Sequence, residues 1–336
     1  MKLATPRWWY VRHGAPAPVS RLLLRPVSWI WAWATARRLA STAPFDPGVP
    51  VISVGGLTVG GVGKTPIVRE LIDQLHTRGV EAHGLSRGYG GREAGPLRVD
   101  PRRHTATQVG DEPLMLAHGA PIWIARDRAA GAREAVAAGA KALVLDDAHQ
   151  NPALKKTLSL VVVDGETRDG EWPFGDGAVF PSGPMREPLA VGLARADAVI
   201  VLLPMGMTEA DPELLETLAS KPVLIARLTA PAPPPPGPQL GFAGVAKPWK
   251  VERALRAAGC ELVDFAGMAD HAQFDEGTLK VLADRARMLG AGLVTTEKDW
   301  IRLTPAWRAQ VTAWPVRAQF DDEAALEGLL APVLAP

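Results

Sequence analysis

The sequence has a single cysteine, Cys260, so no intrachain disulfide can brace the fold. With no His or acid at metal-ligand spacing beside it, Cys260 reads as structural, and the chain suits a reducing compartment. There is no surplus of either charge. Against 37 Lys and Arg stand 36 Asp and Glu in 336 residues, which removes the global field expected of a nucleic-acid binder. Long apolar runs are missing too. The uncharged run from Pro26 to Ala36 is 11 residues, against roughly 20 for a bilayer span. No signal peptide is expected, because Arg37-Arg38 follow that run and no small-x-small cleavage site leads into a new domain.

One absence is local. Acidic residues do not occur before Asp46, while Lys2, Arg7, Arg12, Arg21, Arg25, Arg37 and Arg38 do, together with Trp8, Trp9, Trp29, Trp31 and Trp33, five of the 11 tryptophans. Trp favours the headgroup level and Arg attracts anionic lipid, so residues 1–45 read as a membrane-interface segment with an amphipathic helix. The plainer alternative is a helix that packs its Trp face on the core. One helix can use a face for each.

What is present is a phosphate-binding loop. Val51-Ile-Ser-Val is a short apolar strand, and Gly55-Gly-Leu-Thr-Val-Gly-Gly-Val-Gly63 leads from it to Lys64-Thr65. Small residues let backbone N–H groups converge on phosphate oxygens, Lys64 supplies a point charge, and the Thr65 hydroxyl suits Mg²⁺. ATP or GTP is the expected ligand, with Thr58, Val59, Gly60, Gly61, Val62, Gly63, Lys64 and Thr65 lining it. The generic pattern G-x-x-x-x-G-K-[ST] wants Gly at position 58, where Thr58 stands. Pro66 sits in the first helical turn, where its missing N–H does no harm.

Downstream, helical spacing over 67–78, a strand at 80–85, and further strands at 122–125, 142–145, 158–164, 198–202 and 223–228 alternate with helices at 127–138 and 211–218. Buried apolar strands alternating with helices predict an α/β fold of the P-loop NTPase type, with a doubly wound parallel sheet. Residues 230–238 are proline-rich and form a stiff spacer. Beyond them a strand at 240–245, helices at 251–258 and 277–289, a strand at 292–296 and a helix at 323–330 predict a smaller α/β lobe. The expected domains are thus an interface segment (1–45), a kinase domain (46–229), a linker (230–238) and a second lobe (239–336).

Several motifs could carry chemistry. Ala142-Leu-Val-Leu-Asp146-Asp147 is an apolar strand ending in two carboxylates where a Mg²⁺-holding acid is needed, at the ligand-bearing edge of the sheet. Which of Asp146 and Asp147 does so stays open, and Asp164, ending Leu160-Val-Val-Val, competes. Ser86-Arg87-Gly-Tyr89-Gly-Gly91 could clamp a phosphate or stack on a sugar, or be a mobile surface loop. Asp111 and Glu112 open a helix, which by itself is ordinary helix-start chemistry. Arg186 and Glu187 lie in a rigid Pro-rich loop. Asp270-His271 pairs a carboxylate with an imidazole in the second lobe. Thr296-Glu-Lys-Asp299 ends a strand with charges of both signs and reads as a solvated strand end.

Taken together these motifs resemble one family, the tetraacyldisaccharide 4′-kinases (lipid A 4′-kinases). The resemblance is carried by Thr58 to Pro66, Ser86 to Gly91, Val109-Gly-Asp-Glu-Pro113, Asp146-Asp-Ala-His-Gln150, Gly183-Pro-Met-Arg-Glu-Pro188, Asp270-His271 and Thr296 to Asp299, in family order. It implies transfer of the γ-phosphoryl group of ATP, with Mg²⁺, to the 4′-hydroxyl of a tetraacylated glucosamine disaccharide 1-phosphate. By the same resemblance Asp111 takes the hydroxyl proton with His271 paired to it, and Lys64 and the loop amides hold phosphates. Thr65 and one of Asp146 and Asp147 hold Mg²⁺, Gln150 and Glu187 complete the metal or substrate shell, and Arg87 and Tyr89 contact substrate. A peripheral place on the cytoplasmic face of the inner membrane is implied, with no nucleic acid and no obligate protein partner. The chain departs from the family at Gly56, at Val62 and at Ala148-His149, where Asn, Thr, and Gly-Phe or Gly-Leu are usual. Two other readings stand beside this one. A membrane-associated switch ATPase acting through partner binding would favour a lysine where Thr58 stands. A ligase that activates a carboxylate with ATP leaves the basic Trp-rich segment unexplained.

Overall fold

The computed structural model describes residues 7–12, 19–270, 272 and 274–334. Nine strands form the larger sheet: β1 (Val51–Gly56), β2 (Ala82–Ser86), β3 (Leu97–Arg98), β4 (Ile122–Ile124), β5 (Ala142–Asp146), β6 (Leu158–Asp164), β7 (Ala198–Leu203) and β8 (Val223–Thr229), joined by a last strand from the C-terminal end of the chain. The smaller sheet comprises β9 (Gln239–Ala243), β10 (Leu262–Gly267), β11 (Gly292–Thr296) and β12 (Val311–Trp314), all parallel, in the order β10-β9-β11-β12. The last strand, β13 (Arg317–Phe320), completes the larger sheet in the order β13-β8-β7-β6-β1-β5-β2-β4-β3. Its central strands are parallel and wholly buried, as continuous apolar runs covered on both faces require.

The strand order places β1 between β5 and β6, with the chain continuing outward on both sides. Such a switch point opens a crevice at the C-terminal ends of the strands. Helix α2 (Lys64–Thr77) leaves β1 there and buries Ile67, Val68, Leu71, Ile72 and Leu75 against one face of the sheet.

The end of the chain departs from the expected second lobe. β13 pairs antiparallel with β8, Phe320 opposite Ala226, and the helix Glu323–Leu334 puts Leu326, Leu330 and Val333 into the same core as Ile52 and Leu71. Residues 239–336 therefore divide, with everything after Trp314 returning to the larger sheet. An amphipathic helix shows that it needs a partner surface; which sheet supplies it is a tertiary matter. The strands at 262–267, 311–314 and 317–320 were not expected either, being short and only partly buried.

Helix α1 (Val19–Ser41) uses both of its faces. On one, Ser28 and Ser182 share a hydrogen bond of 2.9 Å, Arg21 pairs with Asp176, Trp31 stacks edge-on to Phe180, and the Trp31 indole donates to the Arg186 carbonyl. On the other, Leu22, Leu23, Trp29 and Ile30 face outward, Trp29 at 71% and Ile30 at 65% exposure. Among the described residues no helix is long and apolar enough to cross a membrane.

Candidate active site

The phosphate loop is shaped by left-handed glycines. Gly60 takes φ 99°, and Gly63, the residue before α2, takes φ 82°. A Cβ on Gly63 would lie 2.2 Å from Leu202 Cδ2, so both conformation and space demand glycine there. No side chain caps α2, which leaves its first amides for an anion.

The loop is held from outside by the segment under α1. Thr58 bridges to Met185, Val59 N donates to the Pro184 carbonyl at 2.8 Å, and Arg186 Nε donates to the Thr58 carbonyl at 3.0 Å. From the other side the Tyr10 hydroxyl donates to the Val59 carbonyl at 2.6 Å.

Asp146 and Asp147 follow one another at the end of β5 but meet different surroundings. Asp147, at φ 52°, turns back into a fork with Arg186 at 2.6 and 3.0 Å and lies 3.5 Å from Lys64 Nζ. Burial would raise its pKa, yet Lys64 and Arg186 more than offset that and hold the carboxyl well below the usual carboxylate range. Asp146 pairs in register with Val54 of β1. Burial, with Asp147 adding to it, pushes its carboxyl up to about 7, and Lys64 and Arg128 offset only part of this. Its Oδ1 is buried with no hydrogen-bond partner among the described residues. A buried carboxylate oxygen left bare beside a phosphate loop suits Mg²⁺, which takes one or two protein carboxylates and fills its remaining positions with phosphate oxygens and water. No all-protein cage of three or more His, Cys, Asp or Glu is assembled among the described residues.

Gln150 and Glu187 lie beside this pair in a brace of their own. Gln150 Nε2 donates to the Gly56 carbonyl at 3.0 Å and to Glu187 at 2.8 Å, and both Glu187 oxygens accept from Arg195 at 2.6 and 2.7 Å. The expected completion of a metal shell by these two is not what the geometry favours, because Arg195 already neutralises Glu187. His149, the departure from the family pattern, is buried between Ser159 and the Gly192 carbonyl and packs so closely that a Cβ on Gly55 would meet it at 2.4 Å. Burial pushes its imidazole down to about 4.

Asp111 is the first residue of the helix Asp111–Leu116, after the N-cap Gly110 at φ 94°. Asp111 Oδ2 accepts from Arg302 Nε and Nη2 at 2.8 and 2.7 Å. Neighbouring Glu112 meets Lys298 at 2.6 Å and is near enough to Asp146 to raise its pKa. His271 lies outside the described residues. The loop with Arg87 and Tyr89 is anchored beneath this helix start, since a Cβ on Gly110 would meet the Tyr89 carbonyl at 2.6 Å and one on Gly91 the Gln108 carbonyl at 2.5 Å. Both side chains are exposed, and Arg87 is near enough to Arg128 to lower its pKa.

Two features escaped the sequence. Asp164 ends β6 but is taken by Lys247 at 3.0 Å and Lys250 at 2.5 Å, both from the second lobe, which removes it as a metal acid. Arg128 is buried, donates from Nη2 to the Asp146 carbonyl at 3.1 Å, and has Nε and Nη1 without partners among the described residues. Burial lowers its pKa to about 10. No spacing rule marks it, because it looks like any cation at a helix start.

Comparisons with known proteins identify the family and the fold. A model of the family described as Tetraacyldisaccharide-1-P 4′-kinase matches residues 20–335. A tetraacyldisaccharide 4′-kinase of Caulobacter vibrioides is 68% identical over 330 residues, covering 98% of each chain. One of Maricaulis maris is 51% identical over 332 residues, covering 98% of this chain and 96% of that protein. The fold is similar to that of LpxK from Aquifex aeolicus, solved in complex with ATP, with a TM-score of 0.72, 23% identity, and coverage of 94% of this chain and 99% of that one. Nothing in these likenesses supports a switch ATPase acting through partner binding. With a family model covering nearly the whole chain and relatives matched end to end, this chain belongs to the Tetraacyldisaccharide-1-P 4′-kinase family.

Proposed function

We propose that the chain carries out its family's reaction, transfer of the ATP γ-phosphoryl group to the 4′-hydroxyl of a tetraacylated disaccharide 1-phosphate, with the roles divided as follows. Lys64 and the amides of residues 58–65 hold the nucleotide phosphates, and Asp147 and Arg186 fix the Lys64 ammonium and the loop. Thr65 and Asp146 would hold Mg²⁺, which would supply charge neutralisation at the phosphates. Asp111 takes the proton of the 4′-hydroxyl, with His271 as its partner. Arg128, Arg87 and Tyr89 serve phosphate and sugar, while Gln150 and Glu187 brace the floor beside Asp147.

The observation that carries this division is the contrast within the Asp146-Asp147 pair: one carboxylate is spent on two cations and the other is buried with a bare oxygen. Turnover of ATP should depend on the acylated disaccharide, and ADP formation unaffected by that acceptor would overturn the reading. For the base, Asp111→Ala should lower kcat by about 10²- to 10⁴-fold with little change in ATP affinity.

The outward face of α1, with Leu22, Leu23, Trp29 and Ile30 exposed next to Arg25, Arg37 and Arg38, supports peripheral association with an anionic membrane surface on the cytoplasmic side. The inner face of the same helix touches Ser182 and the Arg186 carbonyl, which brings a lipid substrate's surface and the phosphate loop onto one scaffold.

A further inference from the structure

The segment after β11 was expected to be a solvated strand end, and it is instead a hub between the lobes. Thr296 caps the short helix Glu297–Trp300 by accepting from Asp299 N. Glu297 reaches Arg69 of α2 at 3.1 Å, Lys298 reaches Glu112 at 2.6 Å, and Arg302 reaches Asp111. Behind Arg302 stands a rigid support. Asp299 is fully buried; its Oδ2 accepts from Gly244 N at 3.0 Å and from the Thr296 hydroxyl at 2.8 Å, and its Oδ1 accepts from Arg302 Nη1 at 3.0 Å. The same Nη1 donates to the Gly244 carbonyl at 3.3 Å. One edge of the guanidinium is thus fixed on the second lobe, and the other edge presents two N–H groups to a single oxygen of Asp111.

We propose that Arg302 is a positioning residue for phosphoryl transfer: anchored by Asp299 and Gly244, it aims the Asp111 carboxylate, so that the second lobe sets the geometry of the base. This rests on Asp111 being that base. The physical case is that an arginine stays charged at every accessible pH and presents its donors in a rigid fork, so it fixes direction as well as charge. A lysine would keep the charge and lose the fork. The Asp111 and Arg302 side chains are only 12% and 11% exposed, so solvent screens the pair little. The charges around Asp111 are Glu112 on its own helix, and Arg302, Lys298 and Asp299 from the second lobe, with Asp270 acting on Lys298 and His271 outside the described residues. Lys298 is absorbed by Glu112 and Asp299 is tied to Arg302, while Arg302 contacts Asp111 directly.

The test compares Arg302→Met, Arg302→Lys, Lys298→Met and Asp111→Ala as full-length proteins with MgATP and the acylated disaccharide, reading kcat, both KM values, the pH profile of kcat and the unfolding midpoint. Arg302→Met should lower kcat by about 10²-fold, the scale of misplacing a reacting group by an ångström. KM for ATP should hold, and the acid limb of the profile should move to higher pH, since losing an adjacent cation makes a carboxylate harder to ionise. Arg302→Lys should leave the limb in place and restore only part of kcat. If Arg302→Met does not fold, that partial loss at unchanged stability carries the test. Lys298→Met removes an equal crossing between the lobes without removing a donor to Asp111; because it bares Glu112 beside Asp111, it should move the limb in the same direction but by less than Arg302→Met does. Turnover near wild type in Arg302→Met beside an inactive Asp111→Ala overturns the role of Arg302 alone. Equal losses in Arg302→Met and Lys298→Met with an unmoved limb overturn it as well, reducing Arg302 to a tie between lobes. Normal turnover in Asp111→Ala overturns the base assignment beneath it.

Discussion

The two sides of the phosphate loop carry the same chemistry and use it differently. β5 and β6 flank β1 in parallel, and each ends in a buried aspartate, Asp146 on one side and Asp164 on the other. On the β6 side the second lobe delivers Lys247 and Lys250, and despite burial these hold the Asp164 carboxyl well below the usual carboxylate range. On the β5 side no such pair of lysines arrives. Lys64 and Arg186 go to Asp147, and Asp146 stays raised to about 7 with an oxygen bare. A strand-end acid at the ligand edge of a sheet is thus only an opportunity. What comes to meet it decides whether it ties lobes together or keeps an oxygen bare.

The sharpest way to break the comparison is to neutralise each acid in turn. Asp146→Asn should lower kcat by about 10²- to 10³-fold, the range for losing one well-placed electrostatic contact, and Lys64→Ala should do the same. Both proteins should unfold at close to the wild-type midpoint. Wild-type-like turnover in purified Asp146→Asn would return the metal role to another acid. Asp164→Asn should behave in the opposite way. Removing one member of a buried ion pair strands the other, and a loss of about 3 kcal/mol in unfolding free energy is expected, with kcat of the folded fraction largely kept. A denaturant titration beside an assay below the unfolding midpoint separates these outcomes.

Acid sharpens the contrast further. His149 is held neutral down to about 4 by burial, whereas an unfolded histidine binds its proton near 6.5. The unfolded state therefore binds more protons between those values, and stability falls as pH drops from about 6.5 to about 4, by up to roughly 3 kcal/mol. Replacing His149 with Phe, a residue usual in the family at that place, should flatten the slope of unfolding free energy over that window. Below about pH 4 a second loss follows, on the opposite kind of group. Asp164 and Glu112 have folded pKa values below their unfolded ones, so their stabilisation is complete above the unfolded values and disappears as pH falls beneath them. Asp164→Asn should lack much of that second loss.

The smallest effect concerns α1, which touches neither aspartate. Trp29→Ala with Ile30→Ala should weaken pelleting with anionic vesicles several-fold and leave turnover of a detergent-dispersed acceptor unchanged, since a side chain lying in the interface gains only a part of the about 1.5 to 3 kcal/mol that full burial of a large apolar group supplies. Equal pelleting of wild type and the double variant would remove this face from the membrane contact.

Much of the molecule was legible in its residues. The glycine-rich turn into Lys64-Thr65, the parallel strands and the smaller lobe follow from local rules: left-handed glycines, continuous apolar runs and alternation of strands with helices act over a few residues and show in any window of that size. The strand-end position of Asp146 was legible for the same reason. What could not be read is whatever depends on a partner far away in sequence. Asp146 and Asp164 are alike until Lys247 and Lys250 arrive from 83 and 86 residues downstream, and Asp111 resembles a helix start until Arg302 reaches it across 191 residues. The burial of Arg128 and the return of β13 and the last helix to the larger sheet belong to the same class. Local backbone preference and the side-chain period were set by the sequence itself; charge pairing in a low-dielectric interior was decided by the tertiary structure, because its strength depends on distance and burial, and neither exists until the lobes have met.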